Sequence, residues 1–347
     1  MKTVTTLADS FLRDLRIRAA DGRARTIVLP EAGDERVREA AKIIAEEKIA
    51  APLLVCTPDD ARAVQALGLP HVEMEEEHLS ALERLLMELR SSKAGTKDEL
   101  TPEKARSLSR DPLMYGMYLL RLGKGDGLVA GAARTTADVL RAGLWLVGVA
   151  EGIRTVSSSM YMVVPAFRDE GTPEILTFAD CAVVPQPTPE QLADIAIAAA
   201  DARSRIVGDE PRVALLSYST HGSGAGESVR NVRAALDLVR ARRPELAVDG
   251  EVQADAALIP SISERKAPGN LLGGKANVLV FPSLDAANIA YKLVAYLTPG
   301  AQALGPVLQG MKKPMSDLSR GAGVHDIVRT VTMVAAQAGS DGSAAAR

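Results

Sequence analysis

The feature that most constrains the fold is an alternation of short apolar runs with helical segments, which begins near the N-terminus. Thr26 to Pro30 is typical of a buried strand, Asp34 to Ile49 of an amphipathic helix, and Ala51 to Cys56 of a second strand. Strand, helix and strand at this spacing favour a parallel sheet with crossover helices. The sequence therefore predicts an α/β protein.

The alternation continues along the chain. Further strands are predicted at Gly127 to Gly131, Ser159 to Pro165, Cys181 to Pro185, Val213 to Leu216 and Val278 to Phe281. Further helices are predicted over His71 to Leu89, Asp111 to Leu122, Thr136 to Leu146, Thr188 to Ala202 and Val324 to Ala336. A strand that ends at a glycine before a helix, as at Gly131, marks the edge where α/β sheets place ligands. The glycine spacing is not that of a dinucleotide fingerprint, which argues against NAD binding.

Composition excludes several classes of protein. A chain of 347 residues that is 47% hydrophobic is not disordered and is long enough for two domains. A net charge of −3 argues against bulk nucleic-acid binding. Two cysteines, Cys56 and Cys181, suggest neither a metal pair nor a disulfide framework. No signal peptide or membrane span is recognised, so the expected compartment is the cytoplasm.

The segment from Lys313 to Val328 carries the most informative chemistry. It places the Ser319 hydroxyl, the Arg320 guanidinium and two glycines on a predicted tight loop, followed by a helix with Asp326 in its first turn. Such groups suit a phosphate-like anion and a proton transfer beside it. Each residue also has a structural reading, since Asp326 can satisfy the helix dipole and Ser319 can bond its own backbone. The residues taken singly leave both readings open.

A resemblance to a known family favours the functional reading. Lys313-Pro314, then Asp317-Leu318-Ser319-Arg320-Gly321, then Asp326-Ile327-Val328 resembles the C-terminal signature of the phosphate acetyltransferases. Other blocks resemble the family in order, from about Leu29 to Thr330: Gly125 to Ala132, Thr135 to Arg141, Leu216 to Ser223, Asp249 to Ala257, Gly274 to Val278, Asn288 to Lys292 and Gly305-Pro306. One block would be weak evidence, whereas the ordered set is specific.

The resemblance implies a fold and a reaction. The reaction is acetyl-CoA plus phosphate in exchange for CoA plus acetyl phosphate, with CoA as a substrate, no tightly bound cofactor and no metal. The fold is two αβα-sandwich domains with mostly parallel sheets and an interdomain active-site cleft. Residues 1–147 and 305–347 would form the domain that carries the Ser-Arg-Asp loop, and residues 148–304 an inserted domain for dimerisation. The expected partners are small molecules and a second copy of the chain, with no nucleic acid or membrane.

The resemblance also implies roles for six residues. Asp326 matches the base that takes the CoA thiol proton, Arg320 would neutralise charge on the phosphoryl and acyl oxygens, and Ser319 would donate a hydrogen bond. The expected mechanism is direct attack of the thiolate in a ternary complex. Three further arginines match those that the family uses at the active site or for CoA, namely Arg36, Arg90 and Arg141.

Four positions depart from the pattern of many or some relatives. Arg134 stands where many have histidine, and Ala142 where many have proline. Phe167 and Tyr296 stand where some have a cysteine and an arginine. These differences put CoA contacts and acyl-group preference in question, while the reacting groups are intact.

Several alternatives stay open. The chain could be a phosphate propionyl- or butyryltransferase, or a non-catalytic acyl-CoA-sensing module. A metal-dependent 2-hydroxy-acid dehydrogenase of similar shape ranks last, because no cluster of acidic ligands is apparent in the sequence. Cys181 is a possible nucleophile, but no sequence feature pairs it with a base. His221 and His325 are possible proton carriers, although surface positions are the commoner reading.

Overall fold

The computed structural model describes residues 7–19, 23–91, 99–168 and 171–339. Up to residue 150 the elements are α1 (Leu7–Ala19), β1 (Thr26–Leu29), α2 (Glu35–Glu46), β2 (Ala51–Cys56), α3 (Pro58–Ala66), β3 (His71–Glu73), α4 (Glu76–Leu89), α5 (Pro102–Ser109), α6 (Pro112–Arg121), β4 (Gly127–Ala130) and α7 (Thr136–Leu146). Beyond it they are β5 (Ser157–Val164), β6 (Glu174–Ala179), α8 (Pro189–Ile206), β7 (Arg212–Leu216), α9 (Glu227–Arg242), β8 (Ala247–Val252), α10 (Ala254–Leu258), α11 (Pro260–Lys266), β9 (Val278–Val280), α12 (Leu284–Leu297), β10 (Gln302–Gln309), β11 (Met315–Asp317) and α13 (Val324–Gly339).

The chain forms two compact units. The terminal unit comprises Leu15–Ala150 and the described residues from Met311 onward. The central unit comprises Glu151–Gly310 and the described residues up to Asp14. Each unit has its own sheet, as the α/β prediction requires. Within the described ranges, no helix combines the length and apolar character needed to cross a membrane.

The terminal unit is built on a parallel sheet in the order β11-β4-β1-β2-β3. Strand β1 lies inside this sheet and pairs with both β2 and β4, so that Val28 lies beside Leu53 on one side and Leu128 on the other. Ile27, Val28 and Leu29 are almost completely buried. Burial of each such side chain contributes about 1.5–3 kcal/mol, which explains why this short run is a strand in the sheet interior.

Helices cover both faces of this sheet, as successive residues of β4 show. A Cβ on Gly127 would lie 2.6 Å from Val334 of α13. Leu128 points the other way, 3.4 Å from where a Cβ on Gly116 of α6 would stand. Side chains alternate between the faces of a strand, so α13 packs on one face and α6 on the other. Helix α2 joins α13, and α7 joins α6.

The central unit contains a mixed sheet in the order β10-β5-β6-β9-β7-β8. The pairs β6–β9, β9–β7 and β7–β8 are parallel, while β10–β5 and β5–β6 are antiparallel. Helices α8 and α9 pack together as one group, while α12 contacts β10, β5 and β6. The fold is therefore the predicted α/β class with mostly parallel sheets.

The strand predicted at Cys181 to Pro185 is wrong. The strand of this region is β6, which ends at Ala179, and the chain then turns around the Asp180 carboxylate. That carboxylate accepts hydrogen bonds from the backbone N–H groups of Ala182, Val183 and Val184. These amides cannot also join a sheet ladder, so the apolar side chains do not decide the structure here.

The helix predicted over His71 to Leu89 begins too early. His71, Val72 and Glu73 form β3 and pair in parallel with Leu54, Val55 and Cys56. Helix α4 starts only at Glu76. Sheet pairing at the free edge of β2 outweighs helix propensity over these three residues.

Candidate functional site

All six predicted site residues lie in the terminal unit. Strands β1, β4 and β11 are neighbours in its sheet and run in the same direction, so the loops that follow them lie along one edge. This is the edge at which α/β sheets bind ligands. Arg36 follows β1, Arg141 follows β4, and Ser319 and Arg320 follow β11, whereas Arg90 ends α4.

Ser319 and Arg320 form an exposed turn after β11. The Ser319 carbonyl accepts a hydrogen bond of 2.8 Å from the Ala322 N–H, and the Ser319 Oγ accepts one of 3.2 Å from the Gly321 N–H. Ser319 thus has the local backbone bond that its structural reading predicted, and its hydroxyl proton is still able to donate. Across the ranges that the structure describes, no hydrogen bond or ion pair engages the Arg320 guanidinium. This side chain is the available cation of the loop.

Asp326 stands in the first turn of α13. Its Oδ2 accepts a hydrogen bond of 3.0 Å from the Gly323 N–H, and its Oδ1 lies 3.8 Å from the Arg329 Nη1. The side chain is 58% exposed. The helix-capping role is therefore present. A carboxylate has about four lone-pair sites, so the accessible oxygen can still accept a proton.

Arg36 joins three loops of this edge. Its Nη1 donates to the carbonyls of Arg320 at 2.9 Å and Ala322 at 2.8 Å. Its Nη2 donates to the Ala132 carbonyl at 2.8 Å and the Asp34 carboxylate at 2.6 Å, and its Nε donates to the same carboxylate. The pKa of Asp34 is lowered, because the hydrogen bond from the Arg36 side chain favours the charged carboxylate. Asp34 also caps α2.

Glu31 was not predicted, yet it organises the loop after β4. Its carboxylate accepts hydrogen bonds from three successive backbone N–H groups, those of Gly131, Ala132 and Ala133, at 2.8–2.9 Å. Such a row of amides is a backbone anion site, and here the protein's own carboxylate occupies it. The position of Glu31, two residues after a buried strand, was the available sequence signal.

Asp317 is a second unpredicted carboxylate of the site, at the end of β11. It is 5% exposed, and its Oδ2 accepts a 2.5 Å hydrogen bond from the Thr136 hydroxyl. Burial raises its pKa to about 6, and the nearby Glu31 charge adds to the shift, although the Thr136 hydrogen bond opposes it. Among the described residues, its Oδ1 has no hydrogen-bond partner.

Arg90 and Arg141 have contacts within their own helices or with a neighbour. The Arg90 guanidinium lies over the Trp145 ring, 4.5 Å from its centroid. Arg141 forms an ion pair with Asp138, three residues earlier on α7, and is 51% exposed. Arg134, one of the departures, pairs with Asp111 at 3.0 Å. The structure gives each arginine a local partner and identifies none of them as a ligand contact.

Residues weighed for other chemistry lie mostly in the central unit. Cys181 is 1% exposed, its thiol donates to the Phe178 carbonyl, and burial raises its pKa. A buried, protonated thiol is a poor nucleophile. His221 lies 3.4 Å from Asp249, and His325 is exposed. In the described part of the chain, no group of three or more His, Cys, Asp or Glu side chains could hold a metal ion.

Comparison with known proteins identifies the family. Residues 10–335 match the sequence model of the family described as "Phosphate acetyl/butaryl transferase". The phosphate acetyltransferase of Acetivibrio thermocellus is 41% identical over 336 residues, which are 95% of this chain and 98% of the relative. That of Treponema pallidum is 42% identical over 337 residues, 94% and 98% of the two chains.

A solved structure agrees. A phosphotransacetylase from Streptococcus pyogenes matches with a TM-score of 0.84 at 35% identity, over 95% of this chain and 98% of that one. The family match, the relatives and this structural likeness cover the same nearly complete length. The chain belongs to the phosphate acetyl/butaryl transferase family and is an enzyme of the acyltransferase class.

Proposed function

We propose that this chain is a phosphate acetyltransferase, which interconverts acetyl-CoA plus phosphate and CoA plus acetyl phosphate. The observation that carries the proposal is the segment from Ser319 to Asp326. It holds an accessible guanidinium and an accessible carboxylate at the ligand-binding edge of a parallel sheet. Relatives that are named phosphate acetyltransferase and are 41–42% identical over nearly the whole chain support the same reaction.

Asp326 is the proposed base in the direction of acetyl-CoA synthesis. A free thiol has a pKa of about 8.5, so only a few per cent is thiolate at neutral pH. The Asp326 carboxylate takes the proton from the CoA sulfur, and the thiolate forms a bond to the carbonyl carbon of acetyl phosphate. The bond between that carbon and the bridging oxygen then breaks, and phosphate leaves. The exposure of the carboxylate supports this role.

Arg320 and Ser319 are the proposed stabilisers of negative charge. The guanidinium has a planar set of donors that suits phosphate oxygens, and the hydroxyl can donate to the developing oxyanion or to the sulfur. Direct attack in a ternary complex needs no acyl-enzyme. The burial of Cys181 supports that view, because the thiol is not available to carry an acyl group.

The proposal includes the remaining substrate contacts and the assembly. CoA is a substrate rather than a bound cofactor, and Arg90 and Arg141 are proposed to contact it. A homodimer is proposed through the central unit, since α12 exposes Ile289, Leu293 and Tyr296. A cytoplasmic location is supported by two free, buried cysteines, which suit a reducing compartment.

The test is a panel of acetyl, propionyl and butyryl phosphate with CoA, in which thioester formation is followed by absorbance. We expect kcat/KM to be highest for acetyl phosphate. A Cys181→Ala variant should retain activity and serves as the control for direct attack. A preference for butyryl phosphate would assign the second reaction in the family's description. CoA binding by calorimetry without thioester from any donor would indicate an acyl-CoA sensor instead.

A further inference from the structure

We infer that Arg36 is a positioning residue, which holds the Ser319–Ala322 turn and thereby aims the Arg320 guanidinium, and that it does not bind CoA. This inference rests on the proposed function, because it assigns Arg36 a role in that reaction. It also departs from the role that the family resemblance implied for this arginine.

The argument begins with the number of donors. An arginine side chain has five N–H groups in a fixed planar arrangement. In Arg36 all five have protein acceptors: two on Nη1 meet Arg320 O and Ala322 O, two on Nη2 meet Asp34 Oδ2 and Ala132 O, and the one on Nε meets Asp34 Oδ1. A phosphate group of CoA could bind Arg36 only by displacing some of these acceptors.

The identity of the acceptors shows what the residue does. Two of the carbonyls belong to the turn after β11, and one of them is the carbonyl of Arg320 itself. A third belongs to the loop after β4. The two ends of the turn have other contacts, since the Leu318 N–H donates to the Ala130 carbonyl and Ala322 is buried. Between them the Arg320 side chain is exposed, and among the described residues Ser319 bonds only within the turn. The orientation of this middle part of the turn therefore depends on Arg36.

The substitution Arg36→Lys distinguishes binding of a CoA phosphate from positioning of the turn. Lysine keeps the positive charge and can act as a point-charge partner for phosphate, but it lacks the planar five-donor geometry. If Arg36 bound a CoA phosphate, Arg36→Lys would retain much of the affinity. If Arg36 holds the turn, Arg36→Lys should behave almost like Arg36→Ala, because an ammonium cannot reach four acceptor groups at once.

The first experiment measures kinetics of the full-length enzyme with CoA and with CoA lacking its 3′-phosphate. We expect Arg36→Lys to lower kcat by about 10- to 100-fold and to change KM for CoA by less than about threefold. The preference for CoA over the truncated form should be that of the wild type. Arg38→Lys is the matched control, because the Arg38 guanidinium, among the described residues, donates to Ala32 O and Gly33 O in the loop after β1 and not to the turn after β11.

A double-mutant cycle tests the link to Arg320. Arg320→Ala removes the guanidinium that Arg36 is inferred to position. In that background, adding Arg36→Lys should lower kcat by less than about a further threefold. Full additivity, or loss of the preference for the 3′-phosphate in Arg36→Lys, would overturn the inference. A near-wild-type kcat in Arg36→Lys would also overturn it.

Hydrogen exchange gives a readout that does not need activity. Arg36→Lys should speed exchange of the amides in 318–323, and Arg38→Lys should not. If the wild type forms no thioester, the proposed function fails, while hydrogen exchange still tests whether Arg36 holds the turn. If the wild type is active but Arg36→Lys leaves exchange in 318–323 unchanged, the role of Arg36 is wrong and the proposed function stands.

Discussion

Asp326 has an observed role as a helix cap and a proposed role as a base, and a single substitution can separate the two. Its Oδ2 caps the start of α13 through the Gly323 N–H, while the side chain is accessible enough to accept a proton. Asparagine keeps an oxygen acceptor for the cap but is not a base. We expect Asp326→Asn to lower kcat by about 100-fold or more, with little change in KM for CoA, because binding contacts are retained.

Asp326→Ala is the matched comparison, since it removes the base and the cap together. It should lose activity similarly and also unfold at a lower temperature, because a lost cap costs about 1 kcal/mol. Initial rates and thermal unfolding of both variants give the measurement. Wild-type turnover in Asp326→Asn would remove Asp326 from the mechanism.

Asp317 makes a pH-dependent contribution to stability. Its pKa is about 6 in the folded chain and about 3.9 when unfolded. Between these values the folded state binds the extra proton, so the free energy of unfolding falls as pH rises from about 4 to about 6. Asp317→Asn cannot ionise. Its stability relative to the wild type should therefore increase by about 1–3 kcal/mol from pH 4 to pH 7.

The measurement is the urea midpoint of both proteins at each pH, with Asp126→Asn as the control of opposite sign. Burial alone would raise the pKa of Asp126, but hydrogen bonds from Arg23 and the Thr26 N–H outweigh it, and the net pKa is lowered. Asp126→Asn should thus lose relative stability as pH rises towards about 4 and change little between pH 4 and pH 7, where Asp317→Asn gains it. If the difference in stability between Asp317→Asn and the wild type did not change with pH, the pKa of Asp317 would be the same in the folded and unfolded chain.

At this scale the sequence indicated the proposed reacting groups but not the residues that support them. Ser319, Arg320 and Asp326 lie within eight residues of one another and resemble a known motif, so they could be recognised locally. Glu31 meets amides about 100 residues away, and Arg36 meets carbonyls 284 and 286 residues away. Such pairs depend on which strands become neighbours, and one sequence does not specify that.

At the scale of elements, the loop after β4 is fitted closely to the end of β11. Gly131 has a φ of +108°, and a Cβ there would lie 2.3 Å from Asp317 Oδ1 and 2.7 Å from the Leu318 N. Because the atoms that the new methyl group would meet include the backbone of Leu318, Gly131→Ala must move either the loop after β4 or the chain at the end of β11. We expect a loss of about 3 kcal/mol or more in the free energy of unfolding and a lower kcat, because the displaced loop leads directly into Ser319.

Gly123→Ala provides a control for backbone strain alone. Gly123 also has a positive φ, of +73°, but no atom of a described residue lies within 4 Å of a Cβ there. Gly123→Ala should lower the free energy of unfolding by about 1 kcal/mol and leave kcat unchanged. Urea denaturation and initial rates compare the two variants. Equal effects on stability and rate would show that the β4 and β11 loops are not closely fitted.

Elements with a clear period were predicted well. Strand β2 at Ala51–Cys56 and helix α7 at Thr136–Leu146 have the predicted bounds. The failures have a common cause, which is that a contact with a distant group decides the backbone. The Cys181 to Pro185 run turns around a buried carboxylate, and His71–Glu73 adds to the edge of β2. Strand β11 is only three residues long, and its pairing with the distant strand β4 likewise decides its backbone. It lies within the segment from Lys313 to Val328, for which a tight loop and a helix were predicted but no strand.

At the scale of the whole molecule, α12 leaves an apolar face uncovered. Ile289, Leu293, Tyr296 and Leu297 are 51–88% exposed and follow helical spacing along one side of the helix. Its other side packs on the core of the central unit through Ala290, Tyr291, Val294 and Ala295. Contiguous exposed apolar side chains of this kind mark interaction surfaces. A second copy of the chain is the proposed partner, with α12 at the interface.

Light scattering after size exclusion tests this assembly. The wild type should have twice the 36.6 kDa mass of one chain. Leu293→Glu places a charge that would have to be buried on association, so it should shift the mass to that of one chain at tens of micromolar protein. Leu122→Glu is the control, since Leu122 is a similarly exposed leucine at the end of α6, at 45%, and its variant should keep the wild-type mass. A wild type with the mass of one chain would exclude the dimer. A Leu293→Glu variant that keeps twice that mass would place the interface elsewhere than α12.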